Sequence, residues 1–127
     1  MTGIAFREAV EAHDLDALRR SLAPEVVFRS PIRFRPFVVP DEVAAILRIP
    51  AEVLAIDDAF RYTSMLGDDR ELARFFEGAI DGRSIQGVDH LRLNDESLVT
   101  ELRVMLQPLA QPQRLADKAT ELLSRTT

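Results

Sequence analysis

The chain has 127 residues, of which 46% are hydrophobic, and its 16 basic and 21 acidic side chains give a net charge of −5 with histidine neutral. This length predicts a single domain over residues 1–127, and the negative charge argues against a nucleic-acid partner, because it supplies no basic field for phosphate groups. The absence of cysteine excludes disulfides, thiolate metal sites and a cysteine nucleophile, and with only two histidines we expect neither a metal site nor a cofactor.

The first third of the chain predicts two short helices followed by a strand. Apolar residues lie three and four positions apart from Phe6 to His13, and Asp14 is a suitable N-cap for a second helix, which Pro24 should close. From Val26 to Phe37 the residues are mostly β-branched, aromatic and apolar, but two prolines interrupt the run. This pattern indicates a bent strand or an edge strand.

A third helix and a series of antiparallel strands follow. Asp41 is placed to cap the helix, and Pro50 should kink or end it. Asp81-Gly82 is a strong hairpin signal, and the residues after Pro108 return to helical spacing. The strand-length segments are Ala59–Leu66, Glu71–Ile80, Arg83–Leu93 and Leu98–Leu106.

This order of elements predicts an α+β fold in which a curved antiparallel sheet packs on helices gathered on one face, with room for an apolar pocket. Alternation along the strand from Arg83 makes Asp89 the lone charge on an apolar row, and Leu102, Val104 and Leu106 share one face of the last strand. If both faces line one cavity, desolvation should raise the pKa of Asp89, and the neutral acid could donate a hydrogen bond.

These segments resemble the nuclear transport factor 2-like superfamily, and within it the SnoaL-like and ketosteroid isomerase-like families. The most specific part is Val88-Asp89-His90-Leu91-Arg92-Leu93-Asn94, which is similar to the Asp-His-x-Arg-x-Asn strand of the ketosteroid isomerases. The residues from Phe6 to Leu18 are similar to the family's first two helices, and Val26 to Pro31 to its first strand. The resemblance implies a cone-shaped fold around an apolar pocket, often found as a homodimer through the outer face of the sheet.

The resemblance also implies which functional groups are present. Ketosteroid isomerases use a protonated aspartate, which falls on Asp89, but Phe6 stands at the position of their tyrosine donor and Ser30 at that of their aspartate base. Two of the three groups are therefore missing, which argues against the steroid isomerase mechanism. The related limonene-epoxide hydrolases use an Asp-Arg-Asp cluster whose acids align near Glu77 and Val104, so that cluster is also incomplete.

Several polar side chains allow two interpretations. Tyr62, the only tyrosine, could direct its hydroxyl into the pocket or pack half-buried in the sheet. Glu77 could be a second acid of the cavity or an outward solvated charge, and Ser30 could contact a ligand or close a turn before proline. Arg33 and Arg35 could form a solvated rim or meet an anionic ligand.

The sequence therefore predicts a pocket for a small hydrophobic molecule, such as a steroid-, terpenoid- or polyketide-like compound. Asp89 is the candidate catalytic residue and main polar contact. The other expected ligand contacts are Phe6, Phe28, Ser30, Tyr62, Leu91, Val104 and Leu106. An enzyme of the isomerase, cyclase or epoxide hydrolase kind would need a second cavity acid, from Glu77 or the Asp57-Asp58 pair. A third hypothesis is an interaction protein whose pocket is filled by its own side chains, with Phe6 and Phe28 as candidates.

The predicted partners are a small hydrophobic molecule and a second copy of the chain. No stretch reaches the roughly 20 consecutive apolar residues that cross a bilayer, and Met1 to Arg7 lacks the pattern of a signal peptide. We therefore expect a cytoplasmic protein with no membrane partner.

Overall fold

The computed structural model describes residues 8–9, 12, 14–55 and 58–125. It has the predicted α+β architecture. The elements are helix α1 (Leu15–Arg20), strand β1 (Leu22–Arg29), helix α2 (Pro40–Ala55), strands β2 (Arg61–Gly67), β3 (Glu71–Ile80), β4 (Arg83–Leu93) and β5 (Val99–Gln107), and helix α3 (Ala110–Arg125). Most of the helix predicted from Phe6 to His13 lies outside the described residues.

The five strands form one curved sheet in the order β1-β5-β4-β3-β2. Strands β2 to β5 are an antiparallel meander, as predicted. Strand β1 lies at one edge, also as predicted, but it pairs parallel with β5, so the sheet is mixed and not wholly antiparallel. The difference arises because the chain leaves β1 through α2 and crosses to the opposite edge before the meander begins.

Local signals set the ends of several elements. The carboxylate of Asp14 accepts a hydrogen bond from the Ala17 N–H at 3.0 Å, which confirms it as the N-cap of α1. Asp81 and Gly82 have φ angles of 54° and 73°, as a two-residue hairpin turn of type I′ requires, and they join β3 to β4 as predicted.

Two predicted boundaries, at Pro24 and Asp41, were wrong. Pro24 lies within β1, in the part where the pairing with β5 is interrupted, so its missing N–H disturbs no regular ladder. Asp41 belongs to the first turn of α2, where it pairs with Arg19. Of the two alternatives predicted for Pro50, the end of the helix is wrong. Helix α2 continues to Ala55 because the buried side chains on both sides of the proline hold it against the core.

The core lies between the helices and the inner face of the sheet and forms two clusters. Val26, Phe28 and Leu91 belong to the cluster at the β1 end. Phe76 and Ile85 belong to the other cluster, together with buried residues of α2 and α3. Among the residues that the structure describes, no helix has the length and apolar character needed to cross a membrane.

Helix α3 closes the second cluster because its residues four apart share one buried face. Leu115 and Ala119 are buried there, as the helical spacing predicts. Near the start of the helix, the buried Gln111 side chain donates to the Arg83 carbonyl at 2.6 Å and to the Ser84 carbonyl at 3.1 Å. These contacts fix α3 against the beginning of β4 and so define one side of the space between helices and sheet.

Candidate functional site

A cavity of about 700 Å³ lies between the inner face of the sheet and helices α2 and α3. Its volume is in the range of pockets that enclose drug-sized ligands. Its buried walls are mainly apolar: they include Phe28, Phe37, Leu47, Ile49, Leu54, Phe76, Ile85, Leu102, Leu115 and Ala119. The cavity is therefore suited to a largely apolar molecule.

Asp89 lies in the wall of this cavity, on the inner face of β4. Its cross-strand neighbours are Arg74 on β3 and Val104 on β5. Ile85 on the same strand and Leu106 on β5 also line the cavity. The two strand faces identified by alternation in the sequence thus look into one space, and Asp89 brings an ionisable group to it.

Two side chains interact directly with Asp89. Tyr62 forms a side-chain hydrogen bond with the carboxylate, and the positive charge of Arg74 acts on it electrostatically. Arg74 is only 2% exposed, and its guanidinium carbon lies 5.2 Å from the centroid of the Tyr62 ring. Asp89, Arg74 and Tyr62 therefore form a polar cluster, called here the inner polar cluster, within an apolar surround.

Arg74 was not among the residues singled out from the sequence. The signal was present, because alternation along β3 places Arg74 on the same face as Leu72 and Phe76, which are buried. A basic residue on an apolar row of one strand is the counterpart of the acidic residue on the apolar row of the next. Asp89 is thus not a lone charge in the fold.

Burial raises the pKa of Asp89 from its ordinary value of 3.8 to about 6, while the Arg74 charge and the Tyr62 hydrogen bond oppose the rise. The predicted direction is therefore right. The neutral acid predominates only below about pH 6, and at neutral pH most of the population is carboxylate. Asp89 can consequently accept a hydrogen bond or a proton at neutral pH, and donate a hydrogen bond in weakly acidic solution.

Most of the other predicted contact residues line the cavity. These are Phe28, Ser30, Tyr62, Val104 and Leu106. Leu91 does not line it, although it shares the inner face of β4 with Asp89, because the core at the β1 end of the sheet buries it completely. Phe6 lies outside the described residues.

The candidates for a second acid divide clearly. The Glu77 carboxylate lies 3.0 Å from the Arg61 guanidinium in an exposed ion pair, so Glu77 is the outward charge and not a cavity acid. Asp58 lines the cavity, whereas Asp57 lies outside the described residues. In the described ranges, no three acidic or histidine side chains are grouped so that they could hold a metal ion.

The position of Ser30 is compatible with both predicted roles, as a turn residue and as a ligand contact. Its hydroxyl oxygen accepts a hydrogen bond from the Ile32 N–H at 3.2 Å, which closes the turn after β1. The same residue lines the cavity. His90 points to the outer face, where its Nε2 lies 2.5 Å from a Glu71 carboxylate oxygen.

Exposed residues that also line the cavity mark its mouth. They are Ile32, Arg33, Asp58, Arg61, Thr120 and Leu123. The mouth is therefore much more polar than the walls. Arg35, two residues from Arg33 and also exposed, is not part of the lining.

The model of the SnoaL-like domain family matches residues 4–101 of the chain. The chain belongs to this family. The match confirms the resemblance drawn from the strand that carries Asp89. No functionally curated protein matches this SnoaL-like protein at a significant level.

Solved structures support the same assignment. A protein of cystatin-like fold from Silicibacter pomeroyi is 25% identical, with a TM-score of 0.87 over 95% of this chain and 84% of that one. A steroid delta-isomerase from Pseudomonas aeruginosa is 27% identical, with a TM-score of 0.86 over 95% and 88%. A candidate SnoaL-like polyketide cyclase from Shewanella putrefaciens shares the fold at 14% identity, with a TM-score of 0.65 over 87% and 80%.

Proposed function

We propose that this SnoaL-like protein binds a small hydrophobic molecule of the steroid, terpenoid or polyketide type in its cavity, with Asp89 as the main polar contact. The observation that carries the proposal is the position of Asp89, an ionisable group with a raised pKa in the wall of a largely apolar cavity of about 700 Å³. A largely desolvated polar group in an apolar wall favours a ligand that carries one hydrogen-bonding oxygen.

The inner polar cluster supports this role because it holds the carboxyl group in place before any ligand binds. Tyr62 on β2 and Arg74 on β3 already interact with Asp89 in this structure. Groups fixed in this way lose little conformational freedom on binding, which favours affinity. A ligand hydroxyl would donate to the carboxylate, and a ligand carbonyl would accept from the neutral acid.

A second candidate function is catalysis of proton transfer, by an enzyme of the isomerase, cyclase or epoxide hydrolase kind. A pKa of about 6 suits a general acid or base near neutral pH. Asp58 at the mouth is the second acid among the lining residues in the described part of the chain. The similarity to a protein named as a steroid delta-isomerase supports this candidate, but Ser30 in place of a base argues for a different mechanism.

The binding proposal is tested with two probes that differ by one carbonyl group, the ketone decalone and its hydrocarbon decalin. Each is expected to displace the fluorescent apolar dye phenylnaphthylamine from the cavity, and the displacement measures its affinity. We expect the affinity for decalone to rise as the pH falls through about 6, because the neutral acid of Asp89 then donates to the ketone, while the affinity for decalin stays constant.

The variant Asp89→Asn sharpens this test, because an amide can donate at every pH. Its affinity for decalone should no longer depend on pH near 6, and Glu77→Gln, which alters an outward acid on the adjacent strand, should behave like the wild type. Equal pH profiles for decalone and decalin in the wild-type protein would show that Asp89 makes no contact with the ligand. Turnover of a steroid, terpenoid epoxide or polyketide analogue that is lost in Asp89→Asn would favour the enzyme.

We also propose a homodimer through the outer face of the sheet. Phe75, Val88 and Met105 are aligned across three strands on that face, and Phe75 and Met105 remain 37% and 47% exposed. An exposed apolar strip of this kind fits a self-complementary interface. Sedimentation of the wild-type protein and of Met105→Glu tests the proposal, since the dimer should dissociate in the variant. The cytoplasmic location stays a prediction.

A further inference from the structure

Apart from Asp89, the charged side chains that line the cavity lie at its mouth, and they are not distributed evenly. We infer that the ligand is an amphipathic anion, with an apolar body in the cavity and one acidic group held at the mouth by Arg33. This inference rests on the proposed function, because it specifies the chemical class of the molecule that the cavity binds.

Arg33 is positioned to contact a ligand at the opening. Its guanidinium carbon lies 3.9 Å from the centroid of the Phe37 ring, and Phe37 is itself a buried residue of the cavity wall. A guanidinium group stacked on an aromatic face can still donate hydrogen bonds from its N–H groups to a second partner. The charge of Arg33 thus lies directly beside the apolar space.

Arg33 makes no salt bridge with an acidic side chain within residues 8–9, 12, 14–55 and 58–125. Arg61, the other basic residue of the lining, is already paired with Glu77 at 3.0 Å. An arginine that has no acidic partner of its own gains most from an incoming anion, because no existing ion pair must be broken.

The acid at the mouth lies at the other edge of the sheet. Arg33 follows β1, whereas Asp58 precedes β2, and these two strands are the opposite edges of the five-stranded sheet. The anionic group is therefore expected on the β1 side of the mouth, next to Arg33.

The experiment uses two dyes with one aromatic skeleton, anilinonaphthalene sulfonate and neutral phenylnaphthylamine, each confirmed in the cavity by displacement with decalone. We expect Arg33→Gln to weaken binding of the sulfonate by about threefold and to leave binding of the neutral dye unchanged. Arg33→Lys should retain most of the sulfonate affinity, because it keeps the charge. Raising the salt concentration from about 0.05 to about 0.5 M should reduce the effect of Arg33→Gln.

Arg35→Gln is the matched control, since it removes a neighbouring exposed arginine that does not line the cavity. Its affinity for both dyes should equal that of the wild type. An equal loss in Arg35→Gln, or an equal loss for both dyes in Arg33→Gln, would overturn the inference while leaving the binding proposal intact. If decalone displaced neither dye from the wild-type protein, the proposed function would fail and the inference with it.

Discussion

Arg74 and Asp89 are directly paired across β3 and β4, so that a buried cation and the carboxyl group of the cavity wall lie side by side on the inner face of the sheet. The pair explains how an acidic side chain is tolerated among apolar residues. The Arg74 charge favours the carboxylate, and desolvation favours the neutral acid. The balance leaves the pKa of Asp89 at about 6, where small changes in its surroundings alter its protonation.

Removal of the Arg74 charge should raise the pKa of Asp89. In Arg74→Met the opposing influence of the cation is lost, so we expect the pKa of Asp89 to rise above its value of about 6. Arg74→Lys keeps the charge and should leave the pKa close to that of the wild type. Titration of the Asp89 carboxyl carbon by NMR measures both, and an unchanged pKa in Arg74→Met would show that the two groups are not coupled.

Removal of the Tyr62 hydroxyl should also raise the pKa of Asp89, but by less than removal of the Arg74 charge. Tyr62→Phe deletes the hydrogen bond to Asp89 and keeps the ring, which contacts Phe60 at 5.2 Å and Phe76 at 6.3 Å between ring centroids. We expect a higher pKa for Asp89 and a loss of about 1 kcal/mol in the free energy of unfolding. A pKa below that of the wild type in the same NMR titration would contradict the proposed donor role of Tyr62.

The strands that build the site were largely predictable because their signals are local. A two-residue turn at Asp81-Gly82 pairs Ile80 with Arg83, and counting outward from that pair brings Arg74 opposite Asp89. The cross-strand pairing of Arg74 with Asp89 was therefore contained in the sequence, through the turn and the alternation of β3. Alternation along β4 and β5 identifies Asp89, and only the same alternation along β3 adds Arg74.

Other parts of the site depend on contacts between distant segments. The parallel pairing of β1 with β5 follows from the path of the chain through α2, and no local pattern specifies it. The register of β2 shifts between Tyr62 and Ser64, so alternation along that strand does not predict which side chains turn inward. The contact between Tyr62 and Asp89 could thus not be derived from spacing.

The raised pKa of Asp89 predicts how stability depends on pH. The folded protein binds the Asp89 proton more tightly than the unfolded chain does, so this group's contribution is fully present below about pH 3.8 and is lost as the pH rises through about 6. The total contribution is at most about 3 kcal/mol. Asp68, whose pKa is lowered by hydrogen bonds from the Arg70 and Glu71 N–H groups, acts in the opposite direction.

Comparison with Asp89→Asn isolates this contribution, because the variant keeps every other titrating group. The difference in unfolding free energy between the wild type and Asp89→Asn should change by about 2 kcal/mol between pH 4 and pH 7, with the wild type relatively more stable at the lower pH. Urea unfolding at several pH values measures it. A constant difference would mean that Asp89 has the same pKa in the folded and unfolded states.

Two glycines on the inner face of the sheet should respond differently to alanine. A Cβ at Gly87 would lie 2.3 Å from Cζ of Phe76 and 2.8 Å from Cδ2 of Leu106, so Gly87→Ala forces two cavity-lining side chains to move. At Gly78 the nearest atom would be 3.5 Å away, which is an ordinary contact. We expect Gly87→Ala to lower the free energy of unfolding by about 1 to 3 kcal/mol and Gly78→Ala to change it by less than about 0.5 kcal/mol. Because Phe76 and Leu106 must move toward the cavity or away from it, Gly87→Ala should also alter the affinity for phenylnaphthylamine. Equal effects of Gly87→Ala and Gly78→Ala on stability and binding would rule out this tight packing at Gly87.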